Sequence, residues 1–457
     1  MSTLVKRGLT LSLSVLSTQA LASVVPDRVV YGNDDRLEVF EAAAPLQSVA
    51  KSTAAMIPVG AIRSAEGAIT LTQDTLASQG VCSDDPYANQ PTPGMCSGFL
   101  VGPDLLVTAG HCVNRFNSCE SNNWVFDFKV DETTGRAGVN VDPSTIYKCK
   151  KLVNVQLNNW TKADYALVQL DRIVEDRAPL KFRSEGAVAD GAPIVVIGHP
   201  MGLPTKIAAG ANVRTNSHAE YFVANLDTFG GNSGSAVFNV ETLVVEGILV
   251  RGETDYTYNR DKGCQEIYRC DDDKCRGEDV SRITSIMELA LRDAVMASVA
   301  ANDTTVLASY LEKKGWVDLY DNARESILMK IAQAQALAPA QLLLQAQVLV
   351  NDTDLSGKTA LHHLADQSMT SEDGAEIFTL LLSKEAALNA QDKAGETALI
   401  KAVKKNNLKM VELLLANGAD VRLSDGAGKT AIDYTKFYNL KQRKVRALLK
   451  KALNKKA

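Results

Sequence analysis

Ser233 stands in the run Asp227-Thr228-Phe229-Gly230-Gly231-Asn232-Ser233-Gly234-Ser235. Glycine takes backbone conformations that a side chain forbids. Two glycines ahead of a serine therefore let the chain curl until successive N–H groups point into one hollow, and such a hollow binds an oxyanion. A serine hydroxyl there is a candidate nucleophile. It is weak at its own pKa and needs a base, which in turn needs an orienting carboxylate. Both occur upstream. His111 follows Leu105-Leu106-Val107-Thr108-Ala109-Gly110, which reads as a strand leading into a short turn. Asp164 opens Asp164-Tyr165-Ala166-Leu167-Val168-Gln169-Leu170, the pattern of an alternating, half-buried strand. In a triad, His111 would take the proton of Ser233, and Asp164 would fix the tautomer and stabilise the imidazolium. The N–H groups of Gly231 and Ser233 would hold the oxyanion.

These residues occur in the order His, Asp, Ser, that of chymotrypsin rather than of the α/β-hydrolases or subtilisin. Together the T-A-G-H-C, D-Y-A-L-V-Q-L and G-G-N-S-G-S segments resemble the trypsin-like, chymotrypsin-fold serine peptidases, over roughly residues 29 to 300. The G-G-N-S-G-S spelling is closer to the bacterial glutamyl-endopeptidase branch than to animal trypsins. The resemblance implies two six-stranded β-barrels with the triad in the cleft between them. Short apolar runs separated by Gly, Pro, Asn and Asp from residue 55 to 283 agree with an all-β domain, and residues 284 to 299 look like the helix that closes it. His199 and His218 read as structural or surface residues.

The same resemblance places Asp227, six residues before Ser233, at the base of the primary specificity pocket. A carboxylate there favours Lys or Arg at the cleaved position. The other reading is that Asp227 turns away into a structural salt bridge. In the glutamate-specific branch a pocket-wall histidine reads the substrate. That position is Leu249 here, although Thr228 keeps that branch's threonine, and Arg251 near the pocket entrance could attract an acid. Asn232 stands where trypsins have the aspartate that captures the freed N-terminal amine, so that activation switch is absent as such.

Residues 1–22 read as a signal peptide. Lys6 and Arg7 precede a short apolar region, and Ala20-Leu21-Ala22 fits a cleavage site. Residues 23–28 would be a short propeptide ending at Arg28, or else a loop entering the first strand. The eight cysteines all lie between residues 82 and 275, and an even count in an exported chain suggests disulfides. Cys264, Cys270 and Cys275 lack the C-x-x-C pairs of zinc sites. No metal or other cofactor is expected. The family resemblance pairs Cys96 with Cys112, clamping the histidine loop; the other six cysteines allow 15 connectivities.

A chain of 457 residues should hold two or three domains. A net charge of −5 argues for no nucleic-acid partner, and no internal apolar run is long enough to span a membrane beyond the leader. The C-terminal part repeats. Asp354-Leu355-Ser356-Gly357-Lys358-Thr359-Ala360-Leu361 recurs from Asp392 and again from Asp425, with threonine spacings of 38 and 33. With Val411 to Val421 between them, these units strongly resemble ankyrin repeats. Counting back 33 from Thr359 reaches Ser326, which marks 321–353 as a degenerate first repeat. The expected organisation is 29–300 peptidase domain, 301–320 helical connector, 321–440 four repeats, and 441–457 a basic capping helix. His362 and His363, at the start of the first helix of the second repeat, fit local hydrogen bonding. The reading is an exported serine endopeptidase acting on proteins or peptides, with a repeat module that binds an unknown protein. The alternatives are a catalytically inactive scaffold or adhesion protein, which the intact triad opposes, and a glutamate-specific endopeptidase.

Overall fold

The computed structural model describes residues 30–31, 34–65, 68–113, 119–252, 254–271, 274–313, 315–369, 372–435 and 440–455. The leader, the segment 23–28 and Val29 lie outside the described residues.

Six strands form the first barrel: β1 Thr53–Pro58, β2 Cys96–Gly102, β3 Leu105–Thr108, β4 Asn122–Phe126, β5 Ile146–Leu157 and β6 Asp164–Leu170. They close antiparallel in the order β1-β2-β3-β6-β5-β4. The second barrel uses β7 Pro193–Gly198, β8 Lys206–Thr215, β9 Tyr221–Ala224, β10 Ala236–Asn239, β11 Val245–Arg251 and β12 Glu278–Arg282. Its order is β7-β8-β9-β12-β11-β10, the same path repeated. The strand Arg36–Glu38 adds to β8 outside the ring. Closure leaves no bare sheet edge within each ring. The two-barrel fold implied by the resemblance is therefore present.

One departure concerns β6. The expected half-buried strand is buried at every position. Its outer face is covered too, because Gln169 Nε2 donates to Asp104 at 3.0 Å and Asp104 meets Arg324 of the repeat region at 3.3 Å. The covering elements come from the C-terminal half. Helix Arg292–Ala300 packs on helix Ile327–Ala334. One apolar cluster runs without a break from Phe99 and Leu167 through Val295, Trp316 and Leu319 into Ile331, Leu364, Ile400 and Leu414. The connector holds helix Thr305–Glu312 and is packed, in keeping with its lack of a Gly/Ser linker.

The repeats are built from local turn chemistry. In each, an aspartate Oδ1 accepts backbone N–H groups two and four residues on: Asp321 from Ala323 and Glu325, Asp354 from Ser356 and Lys358, Asp392 from Ala394 and Glu396, and Asp425 from Ala427 and Lys429. The segment that opens at Asp321 thus has the same turn. Neighbouring turns stack, with Lys393 N–H on Ser356 O at 2.9 Å and Gly426 N–H on Ala394 O at 2.8 Å. Helix pairs follow at Ile327–Ala334 with Leu337–Leu343, Ala360–Ala365 with Asp373–Ser383, and Ala398–Lys404 with Leu408–Ala416. The last unit differs. Its first helix is a short turn, Ala431–Tyr434, and its second is the basic helix Leu440–Lys455, which buries Val445 and Leu449.

Candidate active site

Each barrel end contributes part of the site. His111 sits in a turn just after β3, and Asp164 begins β6, which pairs with β3 through Ala166 opposite Thr108. Gly110 makes this approach possible, since a Cβ there would lie 2.1 Å from the Gln156 carbonyl oxygen. Cys112 is bonded to Cys96 on β2, which ties the histidine turn to the barrel wall. The remaining bonds are Cys82–Cys264, Cys119–Cys149 and Cys270–Cys275.

Asp164 is 2% exposed and faces His111 with both oxygens. Oδ1 accepts the His111 backbone N–H at 3.0 Å, and Oδ2 lies 2.9 Å from Nδ1. A carboxylate at Nδ1 fixes the proton there, so Nε2 carries the lone pair. Burial pushes the Asp164 carboxyl up, but the His111 hydrogen bonds and the Arg251 charge outweigh it and hold the pKa below the usual value. The group is therefore an anion at neutral pH. The His111 side chain keeps about 30% exposure, which leaves it reachable from the cleft.

Ser233 lies on the second barrel, three residues before Ala236, where β10 starts. Its turn is held on several sides. Gly234 N–H donates to Leu249 O at 2.8 Å, and Leu249 N–H donates to Ser235 O at 3.0 Å. Ser97 on β2 donates its N–H to Ser233 O at 2.8 Å, and Cys112 Sγ lies 3.7 Å from the same oxygen. The Ser233 turn thus rests directly on the histidine turn. Gly234, at φ 90°, has no room for a side chain: a Cβ would meet Ser97 O at 2.0 Å.

The hollow is shaped by peptide orientation. Asn232 N–H closes a turn on Phe229 O at 3.0 Å, with Gly231 at φ 80°. A positive φ at the third residue marks a type II turn and calls for glycine. Gly230 O accepts the Met201 N–H. Because the peptide is planar and trans, the Gly231 N–H must point the opposite way, and no acceptor among the described residues takes it. Asp255 Oδ2 accepts Gly230 N–H at 2.7 Å, and Ser97 Oγ donates to Gly231 O at 3.3 Å. Sequence reasoning passed over Ser97, Met201 and Asp255. Met201 carried a faint signal in its Gly-His-Pro-Met-Gly setting, and the other two carried none.

The expected specificity residues are placed differently from one another. Asp227 is buried, with Oδ1 accepting the Tyr31 N–H at 2.7 Å and Oδ2 the Asp35 N–H at 2.9 Å. It binds backbone rather than a salt-bridge cation, and burial raises its pKa to about 7. Thr228 Oγ1 donates to the fully buried Glu278 at 3.1 Å. The Leu249 side chain is buried among the apolar residues of the second barrel. Arg251 is not turned toward an incoming acid: its guanidinium engages Asp164, Asp279 and the Lys162 carbonyl. Asn232 Oδ1 accepts the Ser235 hydroxyl at 2.7 Å, a contact within the turn. His199 is fully buried, with Nδ1 3.0 Å from Leu203 O, and burial lowers its pKa to about 4. His218 stacks on Tyr221. His362 bonds Thr359 and the Glu396 carbonyl, and His363 pairs with Asp354 at 2.9 Å.

Comparison with known proteins divides the chain in the same way. Residues 96–248 match the family model for a trypsin-like peptidase domain, and residues 381–434 match that for ankyrin repeats (many copies). An ankyrin repeat protein of Rickettsia bellii is 25% identical over 138 residues, which is 30% of this chain and 74% of that protein. An ankyrin repeat protein of Acanthamoeba polyphaga mimivirus is 38% identical over 71 residues, 16% of this chain and 44% of that protein. The ankyrin repeat and LEM domain-containing protein 1 homolog of Caenorhabditis elegans is 40% identical over 85 residues, 18% of this chain and 12% of that protein. The match therefore spans less than half the length of the last two. The chain carries a trypsin-like peptidase domain followed by ankyrin repeats.

Proposed function

We propose that the protein is an exported serine endopeptidase in which His111, Asp164 and Ser233 form the triad and the repeats bind a protein partner. The observation that carries this reading is the buried Asp164 held on His111 Nδ1 at 2.9 Å, on a turn that abuts the glycine-flanked turn of Ser233. His111 Nε2 takes the hydroxyl proton as Ser233 Oγ attacks the scissile carbonyl. Asp164 stabilises the imidazolium, which then protonates the leaving amine. The N–H groups of Gly231 and Ser233 receive the developing oxyanion. Four cysteine pairs support an oxidising compartment, and no helix among the described residues is long and apolar enough to cross a membrane.

The proposed preference at the cleaved position is Lys or Arg. Two buried carboxylates adjoining the nucleophile turn support it: Asp227, and Glu278 on Thr228. The carboxylate oxygens of Asp227 retain a second lone pair each beyond the bonds to Tyr31 and Asp35. The glutamate-specific alternative has less support, since Arg251 is committed to Asp164 and Asp279.

A fluorophosphonate probe on the full chain tests the enzyme reading. Labelling at Ser233 that disappears in His111→Ala is expected, and an unlabelled folded protein would refute it. A peptide library tests the preference. Cleavage after Lys or Arg should weaken in Asp227→Ser or Glu278→Gln, and a preference for Glu or Phe overturns it.

A further inference from the structure

Arg251 ends β11 in the second barrel, yet it reaches into the first. Its Nη1 lies 3.3 Å from Asp164 Oδ2, the same oxygen that faces His111 Nδ1, and its Nη2 donates to the Lys162 carbonyl at 2.9 Å. Lys162 sits in the hairpin just before Asp164. The Arg251 Nε is 3.1 Å from Asp279 Oδ2, and Arg251 and Asp279 are cross-strand partners in the β11–β12 register. The guanidinium therefore spans the cleft between the barrels. Among the described residues, Asp164 draws its side-chain hydrogen bonds from His111 and Arg251.

We propose that Arg251 is a positioning residue of the triad, clamping Asp164 across the barrel boundary and holding a fixed positive charge beside the Asp164–His111 pair. The inference rests on the triad reading. Two effects act in the same direction. A fixed positive charge beside the Asp164–His111 pair disfavours a second positive charge on the imidazole. The guanidinium also shares the lone pairs of Oδ2 that would otherwise serve Nδ1 alone. Arginine suits this place because its planar fork donates to several acceptors at once and stays charged at any working pH.

The surroundings set the sign. Asp279 offsets part of the Arg251 charge and is itself held by Arg276 at 2.6 Å. The Tyr221 ring lies 5.9 Å from the guanidinium carbon. Glu220 and Glu288 act on Tyr165, the chain neighbour of Asp164. Removing Arg251 thus leaves His111 facing Asp164 with no cation on Oδ2.

The experiment is the pH dependence of kcat/KM for the full-length enzyme on one peptide substrate. In Arg251→Met the acid limb should move to higher pH by about 1 unit. In Arg251→Lys, which keeps the cation, it should stay close to the parent. In Asp279→Asn, where the offsetting anion is gone, it should move the other way. A merely structural role would not give opposite shifts. An acid limb unmoved in folded Arg251→Met overturns the proposal. So does a change confined to KM for acidic peptides, which would make Arg251 a substrate reader. If Arg251→Met does not fold, the Asp279→Asn limb decides, and a limb that is unmoved or moved upward overturns the proposal. Activity that survives in His111→Ala would instead sink the triad reading, so the two failures are distinguishable.

Discussion

The two halves of the chain solve the problem of holding a side chain in place by different means. In the barrels the partners are far apart in sequence: His111 meets Asp164, and Ser97 supports Ser233. Disulfides tie several of these crossings, Cys82 to Cys264 among them. In the repeats, each aspartate folds its own turn within four residues, and threonine or serine caps the next helix, as Thr397 does for Ile400 N–H. The contrast fits the division of labour proposed above. A triad must unite groups from both barrels at fixed angles, which closed sheets with non-local contacts can supply. A binding array must present a surface, which stacked local units supply.

The sharpest way to break this contrast is at Ser233. Ser233→Ala or His111→Ala should each lower kcat by roughly 10⁶-fold, since triad members act as one unit. The helical signal of the array and its melting should not change. Full activity in purified Ser233→Ala would remove the basis for treating the barrels as the catalytic half.

The covalent ties come next. The Cys82–Cys264 bond spans 182 residues. Replacing both cysteines by serine should destabilise the barrels by about 5 kcal/mol in the chain-entropy model. The cysteine-free array should keep its turns, so denaturant curves read by barrel fluorescence and by helical signal should separate. Coincident curves in the variant would show that the halves unfold as one.

The boundary itself can be probed at Arg324. Its guanidinium is buried between Asp104 at 3.3 Å and Asp352 at 3.1 Å. Arg324→Met leaves both carboxylates without it, which should cost about 3–5 kcal/mol. Because Asp104 belongs to the first barrel, the loss should appear in the unfolding of both halves. A loss confined to the array would mean that the contact with Asp104 carries no coupling. The shared core also bears on a fragment beginning at residue 321. It would expose the face of helix Ile327–Ala334 that packs on helix Arg292–Ala300, so its melt should be less cooperative than that of the full chain.

The smallest expected effect is at Asp227. Its folded pKa is raised to about 7, chiefly by burial, above the ordinary aspartate value of 3.8. The folded state therefore binds the proton more tightly than the unfolded state. Stability from this group is fully present below about pH 4 and declines as pH rises toward 7. Asp227→Asn should flatten that decline, by a few kcal/mol at most at about 1.4 kcal/mol per unit. Urea midpoints from pH 4 to 8 that fall equally in parent and variant would assign the slope to other groups.

Much of this is legible in the amino-acid sequence. The triad candidates, their order and the glycine turn are readable because each lies in a short segment with its own local signature. The repeats are readable because Asp354, Asp392 and Asp425 recur with the same turn residues behind them, and turn chemistry is local. Counting back from Thr359 also leads to the segment of Asp321, which makes the same pair of backbone contacts. The paths of the three remaining disulfides are not readable, since spacing alone does not order six cysteines.

What the tertiary structure alone decided is where charged side chains go. Arg251 reads in sequence as a cation near a pocket entrance. In the fold it crosses to Asp164, because strand register places Asp279 beside it and the barrel boundary brings the Lys162 turn within reach. Asp227 reads as a carboxylate at the base of a pocket, and the fold adds two backbone N–H groups from a segment nearly two hundred residues earlier. Arg324 stands in its turn where the others have Gly357, Gly395 and Gly428, and docking onto the barrel buries it against Asp104. Local signatures determine turns, caps and the order of the motifs. The partner of a long, flexible charged side chain depends on which remote segments packing brings within a few ångströms, and no local pattern encodes that.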